Sequence, residues 1–420
     1  MTEQMNVPKL RFGEFDSMLE LSYFGKLVND ITYGPRFSAE DYCSDGNVKT
    51  IRGTDMGANG EIKYTQVPTA QLEGKTVNRH ELKDGDLVMI TTADCGVTSV
   101  YREQPIKHIC SAYAVKINLN DNADSTYFKY FYQTSKAQYE VSRFIRKATV
   151  SNLPGSDINR IRHYPPSLQE QQKIASFLSK VDEKISLLTE KKDKLTEYKK
   201  GVMQQLFNGK WQEQNGQLTF IPPTLRFKAN DGSDFPDWEI ERIGDYIKTV
   251  SLESSLSYPL YSLTIADGII PKPDRYIRDF LVQDELEAYK AMDFNHFAFN
   301  PMNVRFGAVA MLKDNLRVNV SRYYDVFEIN SLGNSKFFDP FLTSYVMLRE
   351  YNRIATGSLI EKKRVHFSEF KEMRICLPSL EEQIKVADFL SAIDQKIDLT
   401  SSELKKAKEW KKGLLQQMFV

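Results

Sequence analysis

Side chains able to do covalent chemistry are present but scattered. The five histidines, His80, His108, His163, His296 and His366, show no HxxxH or His/Cys ligand spacing. The four cysteines, Cys43, Cys95, Cys110 and Cys376, form no CxxC pair and no disulfide-dense framework. No GxxxxGK loop and no GxGxxG after a strand is available to cradle phosphates. Asn300-Pro301-Met302-Asn303 shares two residues with the Asn/Asp-Pro-Pro-aromatic motif of amino-methyltransferases, but lacks its second proline and aromatic, and reads as a strand-ending turn. Glu361-Lys362-Lys363 fits a nuclease ExK, yet nothing upstream completes a site. We assign no catalytic residue and no metal ligand.

Side chains suited to phosphates and base edges are better placed. Arg143, Arg146 and Lys147 precede one long helical segment, and Lys362, Lys363 and Arg364 precede a second. Cations in corresponding places are positioned to meet phosphates. Arg52, Thr54 and Asn59 flank strand ends in the first half of the chain, and Asn300, Asn303 and Arg305 do so in the second. Arg and Asn pair bidentately with guanine and adenine edges. These residues are the candidate DNA contacts. For any one of them the alternative is an ordinary solvated polar cluster.

The elements that must position them follow from length and repetition. A chain of 420 residues is long for one domain and implies about two to four. With 41% hydrophobic residues and 12% aromatic ones it can bury real cores. Lys+Arg and Asp+Glu both total 56, which excludes a uniformly basic nucleic-acid binder but not a local basic face. The stretch from Met1 to Arg11 has no apolar signal core, and no run approaches 18 apolar residues. A soluble, cytoplasmic protein is expected.

The chain is one unit written twice. Pro166 to Phe207 aligns without a gap to Pro378 to Phe419, 212 residues later, with 22 identities in 42 positions. Leu10-Arg11-Phe12 recurs as Leu225-Arg226-Phe227, and Gly57, Gly96, Tyr113 and Val115 find Gly268, Gly307, Tyr324 and Val326 at a spacing of 211. Alternating aromatic and β-branched residues closed by Gly, Asn or Asp predict strands and turns in both globular parts. The expected divisions are a first globular domain over 1–163, a long helix over 164–207, a short linker over 208–224, a second globular domain over 225–375 and a second long helix over 376–420.

Each helix opens with Ser-x-x-Glu, Ser167 with Glu170 and Ser379 with Glu382, which predicts a reciprocal capping box. Apolar residues then step by four and three. In the first helix they are Ile174, Leu178, Val181, Ile185, Leu188 and Leu195, and in the second Val386, Leu390, Ile393, Ile397, Leu404 and Leu414. A 3.5-residue period is a coiled-coil seam. Lys192, Lys199, Lys411 and Thr400 interrupt it, as a partly solvated seam would tolerate. Chain order returns the second helix antiparallel to the first. The expected fold is therefore α+β: two mixed α/β domains separated by an antiparallel coiled coil, in a pseudo-twofold tandem repeat.

The repeated PSLxEQxK, Ala-x-Phe-Leu-Ser, Asp-x-Lys-Ile and KKGxxQQxF segments, with the LRF entry to each half, resemble the conserved regions of the specificity (S) subunit of type I restriction-modification systems. The resemblance covers the whole chain. It implies two target recognition domains, each reading half of a split duplex DNA sequence, with helices that set the spacing and dock methyltransferase subunits. It also implies a non-catalytic chain with no cofactor of its own. Two methyltransferase subunits would bring S-adenosylmethionine, and two translocase-nuclease subunits ATP and Mg. No membrane partner is implied. The other class of function open to such a chain is a coiled-coil adaptor holding two protein-binding modules apart.

Overall fold

The computed structural model describes residues 7–57, 59–147, 149–214, 217–272, 286–358 and 363–420. The chain divides into two compact units, Met1–Thr189 with Ser402–Val420, and Glu190–Ser401. The expected divisions separate the globular parts from the long helices. Packing instead groups each globular part with portions of both long helices.

In the first unit β1 (Val28–Tyr33), β2 (Leu87–Ile90), β3 (Thr98–Val100) and β4 (Ala114–Leu119) form an antiparallel sheet of order β1-β4-β2-β3. In the second, β5 (Ile247–Thr249), β6 (Phe297–Phe299), β7 (Val309–Met311) and β8 (Asp325–Ile329) repeat that order as β5-β8-β6-β7. Both faces of each sheet are covered. Leu87 and Met89 join a core shared with the long helices, while Val88 and Ile90 join a separate one. Strands covered on both faces read as continuous apolar runs, which is how LVMI and FAF stand in the sequence.

The sheet register corrects part of the repeat. Leu87 pairs with Ile117 and Phe297 with Phe327, so β4 and β8 correspond at a spacing of 210. Val115 packs on the helix side with Leu87 and Met89, whereas Val326 packs on the other side with Met292 and Ala298. A slip of one residue turns a strand inside out, so Val115 and Val326 are not counterparts. Tyr113 corresponds to Tyr323, not Tyr324. The β6–β7 turn is one residue longer than the β2–β3 turn, which restores the spacing of 211 at Gly96 and Gly307, with φ +91° and +102°. Gly268 (φ +68°) shares its left-handed backbone with Gly60 (φ +70°) rather than with Gly57.

The long helices span Leu168–Phe207 and Leu380–Met418. Only half of each expected capping box forms. The Ser167 and Ser379 hydroxyls accept from the Glu170 and Glu382 amides at 3.3 and 3.4 Å. The two carboxylates, each 1% exposed, turn instead to the LRF arginines. Arg11 donates to Glu170 through Nε and Nη2 at 2.7 Å each, and Arg226 to Glu382 at 3.0 and 2.7 Å. A bidentate charge-assisted pair outweighs a single amide bond. The neighbouring Gln171 and Gln383 accept from the Asp124 and Asn334 amides at 2.9 and 3.0 Å. Asp124 and Asn334 in turn cap the short helices Ser125–Phe131 and Ser335–Leu342. Thus the repeated Glu-Gln fastens each globular part to the start of its helix.

The entry strands close on the helix ends. The Leu10 amide donates to Gln417 O at 3.0 Å, and Leu225 to Gln205 O at 3.4 Å. Among the seam residues Ile174, Leu178, Val181, Val386, Leu390, Ile393, Leu404 and Leu414 are buried, while Ile185, Leu188, Leu195 and Ile397 are half-buried. The lysines Lys199 and Lys411 are not solvated interruptions. In the first unit Lys411 reaches Asp182 at 2.7 Å, and in the second Lys199 reaches Asp394 at 2.5 Å. As numbering rises from 182 to 199 on one helix, its partners fall from 411 to 394, so the helices pack antiparallel.

The stretch expected as a linker contains a hairpin. Lys210–Gln214 pairs with Gln217–Ile221, setting Trp211 opposite Phe220, and Phe220 stacks on Trp238 at 6.1 Å. Alternation in KWQEQ and QLTFI carries this signal.

Candidate nucleic-acid interface

In the first unit one end of the sheet is built by the β2–β3 turn with Arg146 and residues 151–153. The Ala93 amide donates to Ser151 O at 3.0 Å and Leu153 to Thr91 O at 2.8 Å. Thr92 and Arg146 each bridge to Asn152, which mounts Arg146 beside the turn. The Arg146 side chain is 73% exposed, held only loosely by Asp157 at 3.7 Å. Lys147 is exposed beside it. Arg143 is more committed: Glu140 accepts from it at 2.8 Å and from Arg162 at 2.8 and 3.0 Å. Those hydrogen bonds, that of Arg162 first, hold the Glu140 carboxyl below its ordinary pKa.

The second unit repeats the arrangement. The Val365 amide donates to Pro301 O at 3.0 Å, and Thr356 and Arg364 exchange backbone bonds at 2.9 Å. This sets exposed Arg364 and half-buried Lys363 beside the β6–β7 turn. Lys362 and Glu361 lie outside the described residues.

The candidates inside the turns divide. Asn303 is exposed, but Asn300 is buried and its Oδ1 accepts from the Met302 amide at 3.1 Å. Arg305 is 7% exposed, donates to Asn352 at 3.4 Å and lies over the Phe306 ring at 5.0 Å. Both shape the turn from within. Arg52 grips the fully buried Asp55 through Nε and Nη2 at 3.0 Å each, and these bonds raise its pKa further. Thr54 is exposed. Asn59 is exposed, its side chain donates to the Glu61 carboxylate and accepts from the Glu61 amide at 3.3 Å each, and its backbone carbonyl accepts from Gln133 at 2.7 Å. The structure therefore gathers Arg146 and Lys147 at one sheet end, and Asn303, Lys363 and Arg364 at its counterpart. Among the described residues no group of three His, Cys, Asp or Glu could hold a metal ion, and no helix is long and apolar enough to cross a membrane.

Two sets of exposed apolar residues escaped the sequence reading. On the helices Leu187 and Leu399 are 58% and 63% exposed, and Tyr198 and Trp410 are 54% and 49% exposed. Each pair occupies one repeat position, 212 apart. Leu187 and Tyr198 are eleven residues apart, close to three helical turns, so they share one outer face. The first unit holds Leu187 and Trp410, and the second Tyr198 and Leu399. Isolated exposed apolar residues need no explanation; the same ones repeated at both places do. The second set is Tyr113 and Tyr323, which only the corrected register aligns.

Comparison with known proteins agrees with this architecture. The family model for the type I restriction modification DNA specificity domain matches residues 28–197 and again 239–409. The MjaX type I restriction enzyme specificity subunit of Methanocaldococcus jannaschii is 23% identical over 337 residues, covering 76% of this chain and 73% of that protein. The MjaIX specificity subunit of the same organism is 26% identical over 238 residues, 54% of this chain and 50% of that one. Among solved structures, the S subunit of a type I restriction-modification system from M. genitalium shares the fold with a TM-score of 0.57 at 15% identity, over 99% of each chain. A chain from a structure describing complex assembly and conformational transition of the type I system gives 0.52 at 14% identity, over 96% and 99%. A double match along most of the chain, on a fold whose two units repeat the same sheet order and the same Arg–Glu and Lys–Asp pairs, decides against the adaptor reading: this chain belongs to the type I restriction-modification specificity family, as a non-catalytic DNA target-specificity subunit with two target recognition domains.

Proposed function

We propose that each target recognition domain reads one half of a bipartite duplex DNA sequence through the sheet end that carries its turn, cationic loop and exposed tyrosine. The observation that carries this reading is the repetition of one scaffold with different loop residues: Arg146 and Lys147 in one unit, Asn303, Lys363 and Arg364 in the other. A rigid mount with variable tips suits two targets of different sequence. Exposed cations supply phosphate affinity, which a chain of zero net charge must obtain locally.

The helices would set the distance between half-sites and dock two methyltransferase subunits. Leu187 and Trp410 in the first unit, and Leu399 and Tyr198 in the second, are exposed apolar residues at equivalent repeat positions, fit for two copies of one partner. Two translocase-nuclease subunits would complete the assembly. Methyl transfer from S-adenosylmethionine and ATP- and Mg-dependent cleavage would belong to those partners. The test is to co-express the chain with its modification subunits and map methylated adenines across the host DNA. A split, asymmetric sequence supports the reading, and a continuous one refutes it. Leu187→Asp with Leu399→Asp should abolish co-purification of the modification subunits without unfolding the chain.

A further inference from the structure

The globular parts have diverged in nearly all their loops, yet the turns feeding β4 and β8 are one turn. The Ala114 amide donates to Ser111 O, and the Tyr324 amide to Ser321 O, at 3.0 Å each. Serine holds the first position and tyrosine the third in both. Tyr113 is 64% exposed and Tyr323 51%. A turn accepts most residues at its third position, so turn geometry does not demand tyrosine, and rings standing in solvent do not serve packing. What two diverged readers keep in common serves something common to both targets.

The surroundings identify it. Tyr113 O accepts from the Thr91 amide and hydroxyl at 2.9 and 3.0 Å, and Thr91 leads into the turn that mounts Arg146. In the second unit Asp325 pairs with Phe299, which brings the Tyr323 turn beside Asn300 and Pro301, where the Lys363–Arg364 loop attaches. Both turns thus lie beside the loops that carry the groups placed for phosphates, and both rings are exposed there. We propose that Tyr113 and Tyr323 are stacking residues: on bound DNA each ring packs against a base, a contact shared by both half-sites and not one that reads sequence. This rests on the DNA-reading function above. A duplex presents a free base face only where its stack is opened, as methyl transfer to a base requires, and stacking there is sequence-tolerant, since every base has a π face.

The test uses the full chain with its modification subunits and a fluorescein-labelled duplex carrying the mapped target. If the wild-type complex does not prefer that duplex, the function reading itself fails, and the stacking contact with it. Given that preference, Tyr113→Ala and Tyr323→Ala should each weaken binding about five- to 150-fold, the range for loss of one base–aromatic stack. Tyr113→Phe and Tyr323→Phe should stay within about twofold of wild type, because the ring is kept. Tyr113→Leu and Tyr323→Leu, which keep apolar bulk without the π face, should behave like the alanine variants. The methylated sequence should be unchanged throughout. Four outcomes overturn the proposal: phenylalanine variants as weak as alanine ones, which would indicate a hydroxyl contact; unaltered affinity in the alanine variants; loss of modification subunits at unaltered DNA affinity, which would indicate a protein contact; or a changed methylated sequence, which would indicate base reading.

Discussion

A fragment ending at Gly209 should pair with itself. The first unit is completed by Ser402–Val420, and the repeat places Glu190–Asn208 of a second copy in that role. Gln205 would replace Gln417 as acceptor of the Leu10 amide, and Phe207 would replace Phe419 against Tyr127 and Phe131. The cross-seam pairs are self-complementary. Asp182 and Lys199 lie on one helix at the positions that Asp394 and Lys411 occupy on the other, so two antiparallel copies would form Asp182–Lys199 twice. Lys199→Asp would place two carboxylates together at both sites. The pairs are half-exposed, Lys199 at 23% and Asp394 at 38%, so each reversal should cost about 2 kcal/mol, between the ranges for exposed and buried pairs. Two per dimer make about 4 kcal/mol, or roughly 1000-fold in dissociation constant. Sedimentation equilibrium should find a wild-type dimer, a Lys199→Asp monomer, and a dimer again in the Asp182→Lys, Lys199→Asp double variant. A monomeric wild-type fragment, or a Lys199→Asp variant that dimerises as tightly, would refute the interchangeable seam.

Other expectations concern stability and spacing. Glu170→Gln leaves Arg11 buried against a neutral partner and should cost about 3–5 kcal/mol in urea unfolding, whereas Arg11→Leu with Glu170→Leu should recover most of it; equal losses in the single and double variants would contradict the pairing. His163 lies among Phe24, Phe128 and Phe131, and its burial lowers its pKa to about 4. A folded pKa below the unfolded ~6.5 means that the first unit is fully stabilised above that pH and loses about 3 kcal/mol as pH falls toward 4. Trp410 fluorescence in urea should report this slope, and His163→Phe should flatten it. The second half has Ile375 at the corresponding place. Inserting one heptad after Ile185 and a matching one after Ile397 adds about 10 Å of helix and keeps the seam in phase. Methylation mapping should then return the same half-sites about three base pairs further apart, at ~3.4 Å per pair.

The helices were legible in the sequence because they answer to two simple constraints, a 3.5-residue apolar period and a cap. The antiparallel seam follows from those and from chain order. The glutamates and lysines were not legible in detail. Ser-x-x-Glu specifies a cap whatever else the carboxylate meets, and only the fold brings Arg11, far away in the chain, onto Glu170. Likewise Lys411 reads as a polar interruption until Asp182 stands opposite. In the globular parts a one-residue insertion in the β6–β7 turn moved the repeat spacing from 210 to 211, and the loss of one residue before β8 moved it back, which hid the match of Tyr113 with Tyr323. Of the candidate contacts, Arg146, Lys147, Asn303, Lys363 and Arg364 stand at the sheet ends, because cations ahead of a helix cap fall on the loop that the sheet must turn to meet. Arg52, Asn300 and Arg305 are engaged with their own turns or with a helix packed on them, since the same side-chain geometry that reads a base edge also locks a tight loop.

The central claim is that the two target recognition domains read separately. Replacing Leu225–Arg374 with the equivalent region of another specificity subunit, and mapping methylated adenines in cells expressing the hybrid with its modification subunits, tests it most directly. The account predicts that one half-site changes while the other half-site and the spacing between them persist. A hybrid that is assembled and active but methylates a sequence altered in both halves would contradict it.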